Sequence, residues 1–184
     1  MTKKYLVTTP IYYANAKPHI GNAYASIIAD FLARYKRLLW YDVWFSTGTD
    51  ENGQKMVQTA TQEWKDVIEF LDEIATIHKK LRDDIDISYN DFIRTTEERH
   101  SAVVQKIVKK LYESGDIYRG EYEGWYCVPC ESFFVKAQLV NEECPDCGRA
   151  VKSISEKNYF FRLSKYQDWL IDYIKKNERF IIPD

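Results

Sequence analysis

The sequence is short of the residues that mark several large classes of protein. Only 7 glycines and 5 prolines occur in 184 residues, which excludes collagen-like repeats and low-complexity linkers. Neither charge sign dominates: 26 Lys and Arg stand against 28 Asp and Glu, a formal net charge of −2. That balance excludes a strongly basic nucleic-acid arm and an acidic tail, though not a local basic face. Long apolar runs are missing too. The stretch Ala23 to Ala33 is broken by Ser26 and Asp30 and is too short to span a bilayer. Behind Met1-Thr2-Lys3-Lys4 the apolar residues soon run into Thr8-Thr9-Pro10, which is no signal-peptide core. A cytoplasmic location without a membrane partner is therefore expected. The 4 cysteines fall in two close pairs, which in a chain lacking an export signal reads as metal before disulfide.

What is present suits a folded α/β chain. Apolar residues make up 45% and aromatics 15%, enough for a buried core in one domain or two small ones. Tyr5 to Thr9 reads as a strand stopped by Pro10, followed by a loop from Ile11 to Pro18. Ala23, Ile27, Ile28, Phe31, Leu32, Tyr35 and Leu38-Leu39 have the spacing of a buried helix face. Asp42 to Ser46 reads as a second strand and Thr47 to Gly53 as a polar loop. Strand, loop, helix, strand is the start of a parallel sheet. Two helices follow, over 54–61 and 66–81. Thr95 and Glu98 have capping-box spacing before a helix whose stripe of Val103, Ile107 and Leu111 reads as core. That helix stops at Ser114-Gly115. His78 and His100 lie in helical stretches and read as packed or solvated. Lys79-Lys80 and Lys109-Lys110 read as solvated surface. Composition changes at Asp116, so the chain divides into 1–114 and 115–184. The second part holds strands over 117–126 and 159–163, the cysteine pairs, and a last helix capped by Ser164. It ends at Ile182-Pro183-Asp184 with no closing element.

Two places carry chemistry. In Pro18-His19-Ile20-Gly21-Asn22 a helix begins, and its first turn offers free N–H groups and the positive dipole end to a phosphate. Gly21 permits close approach, His19 can donate to a phosphoryl oxygen, and Asn22 can donate without carrying charge. A plain turn with a surface His reads equally well from these residues alone. Asp50 sits at a strand end facing the crevice where parallel sheets bind ligands, or it simply caps its loop. The second place is Cys127-x2-Cys130 and Cys144-x2-Cys147, thirteen residues apart. Two thiolate pairs on tight turns suit tetrahedral zinc, and four protein ligands leave no open position, so the site reads as structural. Two disulfides or four free thiols are the alternatives.

Four stretches carry a resemblance that covers nearly the whole chain in order. Thr8 to Asn22 (TTPIYYANAKPHIGN) is similar to the first signature of methionyl-tRNA synthetases, class I enzymes of the Rossmann type. Thr47 to Lys55 (TGTDENGQK), Asp91 to His100 (DFIRTTEERH) and Gly120 to Cys127 (GEYEGWYC) resemble later stretches of the same family. The resemblance implies the first half of the Rossmann-type sheet over 1–114. It implies part of the connective insertion, with a structural zinc knuckle on Cys127, Cys130, Cys144 and Cys147, over 115–184. It implies ATP contacts at His19, Gly21 and Asn22, with His19 and Asn22 catalytic. Ile11 and Tyr13 match positions lining the methionine side-chain pocket, and Asp50 the carboxylate that receives the α-ammonium. The last signature position is more often His in class I enzymes, and this family is known to carry Asn there. Asn52 also stands where many relatives have His.

The implied reaction is ATP-dependent activation of methionine, with magnesium, to methionyl-adenylate, then transfer to tRNA(Met). Nothing resembles the family's second, lysine- and serine-rich ATP loop, and the anticodon domain is missing. The expectation is a truncated or split portion, weakly active or inactive alone, that needs a complementary C-terminal half. Two other readings remain open: a non-catalytic zinc-containing module that binds a partner or RNA, and another nucleotidyltransferase with a His-x-Gly phosphate site.

Overall fold

The computed structural model describes residues 2–181, so the Ile182-Pro183-Asp184 end lies outside the described residues. The chain divides into two compact units, Met1–Val103 and Val104–Asp184. The division falls within a helix, ahead of the composition change at Asp116.

The first unit carries a parallel sheet in the order β1-β2-β3, formed by Lys4–Tyr13, Asp42–Asp50 and Asp91–Arg94. Helix α1 (Ile20–Leu38) connects β1 to β2, and α2 (Gln54–Gln62) and α3 (Val67–Asp84) connect β2 to β3. Pro10 does not end β1. The register pairs Thr8 with Ser46 and Ile11 with Gly48, so Thr9 and Pro10 together face Thr47. This is a bulge, one of the few places where a residue without an N–H fits a sheet. The extra residue flips the alternation. Val7 is buried before the bulge, Tyr12 and Ala14 after it, and Ile11 and Tyr13 turn to the open face.

β2 also runs further than its sequence suggests, through Thr47-Gly48-Thr49-Asp50. Gly48 is no loop punctuation. A Cβ there would lie 2.0 Å from the Ile93 carbonyl oxygen, so only glycine lets β2 and β3 approach. β3 was invisible as a strand because four residues are too few to show an alternation.

Helix α1 corrects a second expectation. Its buried residues are Ser26, Ala29, Asp30 and Ala33, not the large apolar stripe. Small residues let the helix lie close on the sheet, where Ala29 and Ala33 join Val7, Val43, Phe45 and Ile87 in one core. Asp30 is affordable there because Ser88 N donates to it at 2.7 Å and Arg34 Nε at 2.6 Å. Burial alone would raise its pKa, but these donors lower it. Ile27 and Phe31 stay exposed, at 51% and 67%. A second core joins Ala14 to Met56 and Ala60 of α2 and Phe70, Leu71 and Ile74 of α3.

Helix α4 (Glu98–Glu113) starts without the expected Thr95 cap. Thr95 Oγ1 instead accepts from Glu51 N at 2.9 Å. None of the residues of α4 is buried, so the Val103 and Ile107 stripe is an exposed face rather than core.

The second unit is built on an antiparallel sheet in the order β5-β4-β6, over Ser132–Phe134, Ile117–Cys127 and Lys152–Phe161. β4 and β6 pair over ten positions, from Ile117 with Phe161 to Tyr126 with Lys152. A last helix, α5, spans Gln167–Lys176. Ser164 does not cap it; that residue lies in a preceding 3-10 turn, Leu163–Tyr166. No helix among the described residues is long and apolar enough to cross a membrane.

A buried carboxylate ties this unit together. Asp116 accepts from Lys165 Nζ at 2.6 Å and Ser114 Oγ at 2.7 Å, while its carbonyl accepts from Arg162 N at 2.8 Å. Lys165 first, then Ser114 and Tyr166, hold the carboxyl down at about 2. A depressed carboxylate stabilises the fold fully above its ordinary pKa and loses that contribution as pH falls through the folded value. Asp116→Asn is therefore expected to lower thermal stability at pH 7. The gap to the parent should persist down to about pH 4 and close towards pH 2. Thermal unfolding of both proteins across that range checks this; a gap that ignores pH would show that the charge is not what matters.

Candidate functional site

The parallel strands end together at Tyr13, Asp50 and Arg94. Ligands of open α/β sheets bind outside these carboxyl ends. Tyr13 and Asp50 are register partners, and Asp50 O accepts from Ala14 N at 3.0 Å. The Asp50 carboxylate also accepts from Asn52 N at 3.3 Å, so it does cap its own loop. It remains partly exposed at the strand tip.

His19 is the N-cap of α1. Its Nδ1 accepts from Gly21 N at 3.1 Å, and its own N–H donates to Asn22 Oδ1 at 2.9 Å. A Cβ at position 21 would lie 2.9 Å from His19 Cε1, so glycine makes room for the folded-back imidazole. The cap has a chemical consequence. An accepting Nδ1 carries no proton, so the proton sits on Nε2, which is left to donate outward. Asn22 likewise uses its oxygen on the cap and keeps its amide N–H groups for a ligand. A cleft of about 290 Å³ brings Ile11, Tyr13, His19 and Asn22 together, lined as well by Tyr12, Asn15, Ala16 and Lys17. Lys55 Nζ stands over the Tyr13 ring at 5.3 Å.

One residue of this region escaped the sequence reading. Glu51, next to Asp50, is buried at 4% exposure. Its carboxylate accepts from Thr49 Oγ1 and Arg94 Nε, both at 2.7 Å, and from Thr96 Oγ1. Arg94 in turn reaches Asp72 at 2.6 Å. Glu51 therefore pins the Asp50 tip to β3 and to the start of α4. Glutamate in a loop motif gives no sign of such burial; only the Arg94 and Thr95-Thr96 cluster downstream could have supplied partners.

The four cysteines converge. Their sulfurs all lie within 4.8 Å of one another, with Cys127 to Cys147 at 3.6 Å and Cys130 to Cys144 at 3.9 Å. All four are free, and these separations exceed a disulfide bond. A tetrahedral centre with sulfurs at about 2.3 Å implies sulfur–sulfur edges of about 3.8 Å. The donor set thus fits a metal site. Cys127 ends β4, while the second pair sits on a turn closed by Gly148 N donating to Cys144 O and Cys144 N to Arg149 O, each at 2.9 Å. The Cys147 sulfur, then burial, push the Cys130 thiol up to about 12. Phe134 is the one buried neighbour from outside the cysteines in this small cluster.

Comparison with known proteins agrees with this architecture. The family profile described as "tRNA synthetases class I (M)" matches residues 5–156. The chain belongs to the methionyl-tRNA synthetase family. The methionine--tRNA ligase of Clostridium tetani is 54% identical over 99% of this chain, and that of Thermotoga maritima 52% over 98%. A solved Mycobacterium tuberculosis methionyl-tRNA synthetase, in complex with methionyl-adenylate, superposes with a TM-score of 0.93 at 40% identity. That match covers 100% of this chain and 37% of the other. The chain spans under a third of the curated relatives' length, 28% and 29% for the two bacterial ligases. The parallel sheet is accordingly the class I synthetase Rossmann-type fold.

Proposed function

We propose that the chain is the N-terminal portion of a cytoplasmic methionine–tRNA ligase and carries half of its adenylating site. The observation that carries this reading is the cleft joining Ile11, Tyr13, His19 and Asn22 beside Asp50, in a chain with synthetase relatives over its full length. In the reaction, a methionine carboxylate oxygen attacks the α-phosphorus of ATP, which arrives with magnesium. The bond to the bridging oxygen breaks, and pyrophosphate leaves. Methionyl-adenylate then passes its acyl group to the 3′-terminal ribose of tRNA(Met).

Each residue has a task in that scheme. Asp50 pairs with the α-ammonium and fixes the carboxylate's direction of approach. Ile11 and Tyr13 contact the methionine side chain. His19 Nε2–H, the Asn22 amide and the first N–H groups of α1 donate to phosphoryl oxygens as charge builds on them. Gly21 keeps the approach open. Catalysis here is positioning and charge stabilisation rather than covalent work by the protein. Cys127, Cys130, Cys144 and Cys147 would hold zinc, which when bound supplies structural crosslinking rather than a reactive position. We assign the knuckle to a connective insertion over 115–184, and the complementary C-terminal segment to the sheet face opposite α1, where Leu6 and Trp44 are register partners and both exposed.

Methionine-dependent ATP–pyrophosphate exchange tests the reading. It is measured on the chain alone and on the chain joined to the remaining length of its Thermotoga maritima relative. The joined protein is expected to exchange. His19→Ala should lose about 10²–10³-fold in rate, as for removal of a single charge-stabilising donor. Asp50→Asn should act mainly on the methionine KM. Exchange that survives His19→Ala, or that any amino acid supports, would overturn the assignment.

A further inference from the structure

Beneath the cleft lies a pair of basic side chains that the reaction does not use. His78 and Arg82 stand one turn apart on α3, and each is 1% exposed. Among the described residues no carboxylate pairs with Arg82. Its Nη1 donates to the His78 carbonyl at 2.6 Å, while Nε and Nη2 meet no acceptor. What holds the guanidinium is aromatic: it lies 4.9 Å from the Tyr12 ring centroid and 5.4 Å from that of Phe92. The His78 imidazole stacks on the same Tyr12 ring, with centroids 6.0 Å apart and planes 19° from parallel. Burial, then the Arg82 charge, push His78 down to about 4, so it stacks as a neutral ring.

Burying an unpaired cation and orphaned donors is costly unless the arrangement serves something. Tyr12 shows what. It is the inward residue between Ile11 and Tyr13 on the strand whose alternation the Pro10 bulge has just reset. Side chains alternate along a strand, so a ring held from below fixes the direction of both neighbours above. Tyr12 Oη also reaches Ser26 Oγ on α1 at 3.4 Å, which ties the same ring to the helix that presents His19 and Asn22.

We propose that His78 and Arg82 are positioning residues for the methionine subsite, acting through the Tyr12 ring to set Ile11 and Tyr13. This deepens the functional reading above and rests on it. The clamp works by planar stacking and cation–π attraction, not by transfer of a proton. Arg82→Met keeps bulk but removes the cation and its plane. His78→Ala removes the stack, and His78→Phe restores it without the imidazole.

In the exchange-competent joined protein, Arg82→Met and His78→Ala are each expected to raise the methionine KM about tenfold and leave the ATP KM in place. His78→Phe should return the methionine KM close to the parent value. If the variants lose thermal stability while both KM values stay put, the pair is merely structural and the proposal fails. It fails equally if the two KM values rise together, or if His78→Phe behaves like His78→Ala. Should the parent show no methionine-dependent exchange, the functional reading falls, and the clamp is judged on the isolated chain by NMR. There Arg82→Met must speed flipping of the Tyr12 ring and shift the Ile11 and Tyr13 amides. Unchanged signals would overturn the clamp as well.

Discussion

If the four cysteines hold the proposed zinc, stripping it is expected to unfold the knuckle around Cys127 to Val151 while leaving the parallel sheet intact. The reason is the size of the local core. Its buried residues are Cys127, Phe134 and Cys144, with Cys130, Leu139, Cys147 and Val151 packed against them. Four of those seven side chains are the candidate ligands, so a bound metal would be the centre of that core. Structural zinc in small modules binds with an apparent 10–16 kcal/mol, roughly the whole stability of an ordinary domain. The few apolar contacts here cannot replace it. Metal analysis should find one zinc per chain. After chelation, amide hydrogen exchange should lose protection across 127–151 but keep it in Val7, Val43 and Phe45. Cys144→Ser should behave like the chelated protein. Retained protection in the knuckle without metal would show that the four thiols are a packed cluster and no metal site.

Glu51→Ala is expected to destabilise the first unit by about 3–5 kcal/mol, the range for breaking a buried ion pair by removing one partner. The side chain is fully enclosed, and its partner Arg94 keeps only 18% exposure. Truncation leaves the Arg94 guanidinium with Asp72 alone and strands the hydroxyls of Thr49 and Thr96. Glu51→Gln should cost less, since the amide oxygen can still accept from Arg94. Urea unfolding of the three proteins at pH 7 measures both gaps. Equal stability of Glu51→Ala and the parent would mean that the enclosure of this carboxylate is not part of the folded protein in solution. Because Asp50 is its neighbour, the same variant should also loosen the strand tip proposed to receive the substrate's ammonium group.

The sequence made the helix start at His19 and the convergence of the four cysteines legible, and the fold around them less so. Motifs such as PHIGN and the paired Cys-x2-Cys are legible because a helix start or a metal demands particular side chains at fixed spacing. The outward direction of His19 Nε2 was not, since it depends on a cap formed with Gly21 and Asn22. The pattern cuts β1 short at a proline, β2 at a glycine and β6 at the polar run before Tyr159, whereas it gives β4 almost whole across Gly120 and Gly124. At Pro10 the bulge removes the usual penalty, and at Gly48 the closeness of Ile93 demands glycine. Helix α1 was read inside out. Periodicity reports an apolar face, but the sheet took the face of Ser26, Ala29, Asp30 and Ala33, where small size matters more than hydrophobicity. His78 reads from the sequence as packed or solvated, and nothing there marks Arg82 or Glu51 for burial. Their burial is set by partners tens of residues away, for which local patterning carries no signal.

The position of the cysteines within the β4–β6 ladder bears on how the second unit forms. The ladder's inner rung joins Tyr126 to Lys152, and all four cysteines lie in the segment between. Closing a flexible segment of about 25 residues costs about 3 kcal/mol in chain entropy, before the first rung gives anything back. A cation captured early by both pairs would have already brought the two arms together. The rungs from Tyr126 outward to Ile117 could then form one after another, each closing only a short further loop. A metal held in this arrangement would act as a zipper's starting pin, setting the speed and the register of pairing as well as the stability of the finished hairpin.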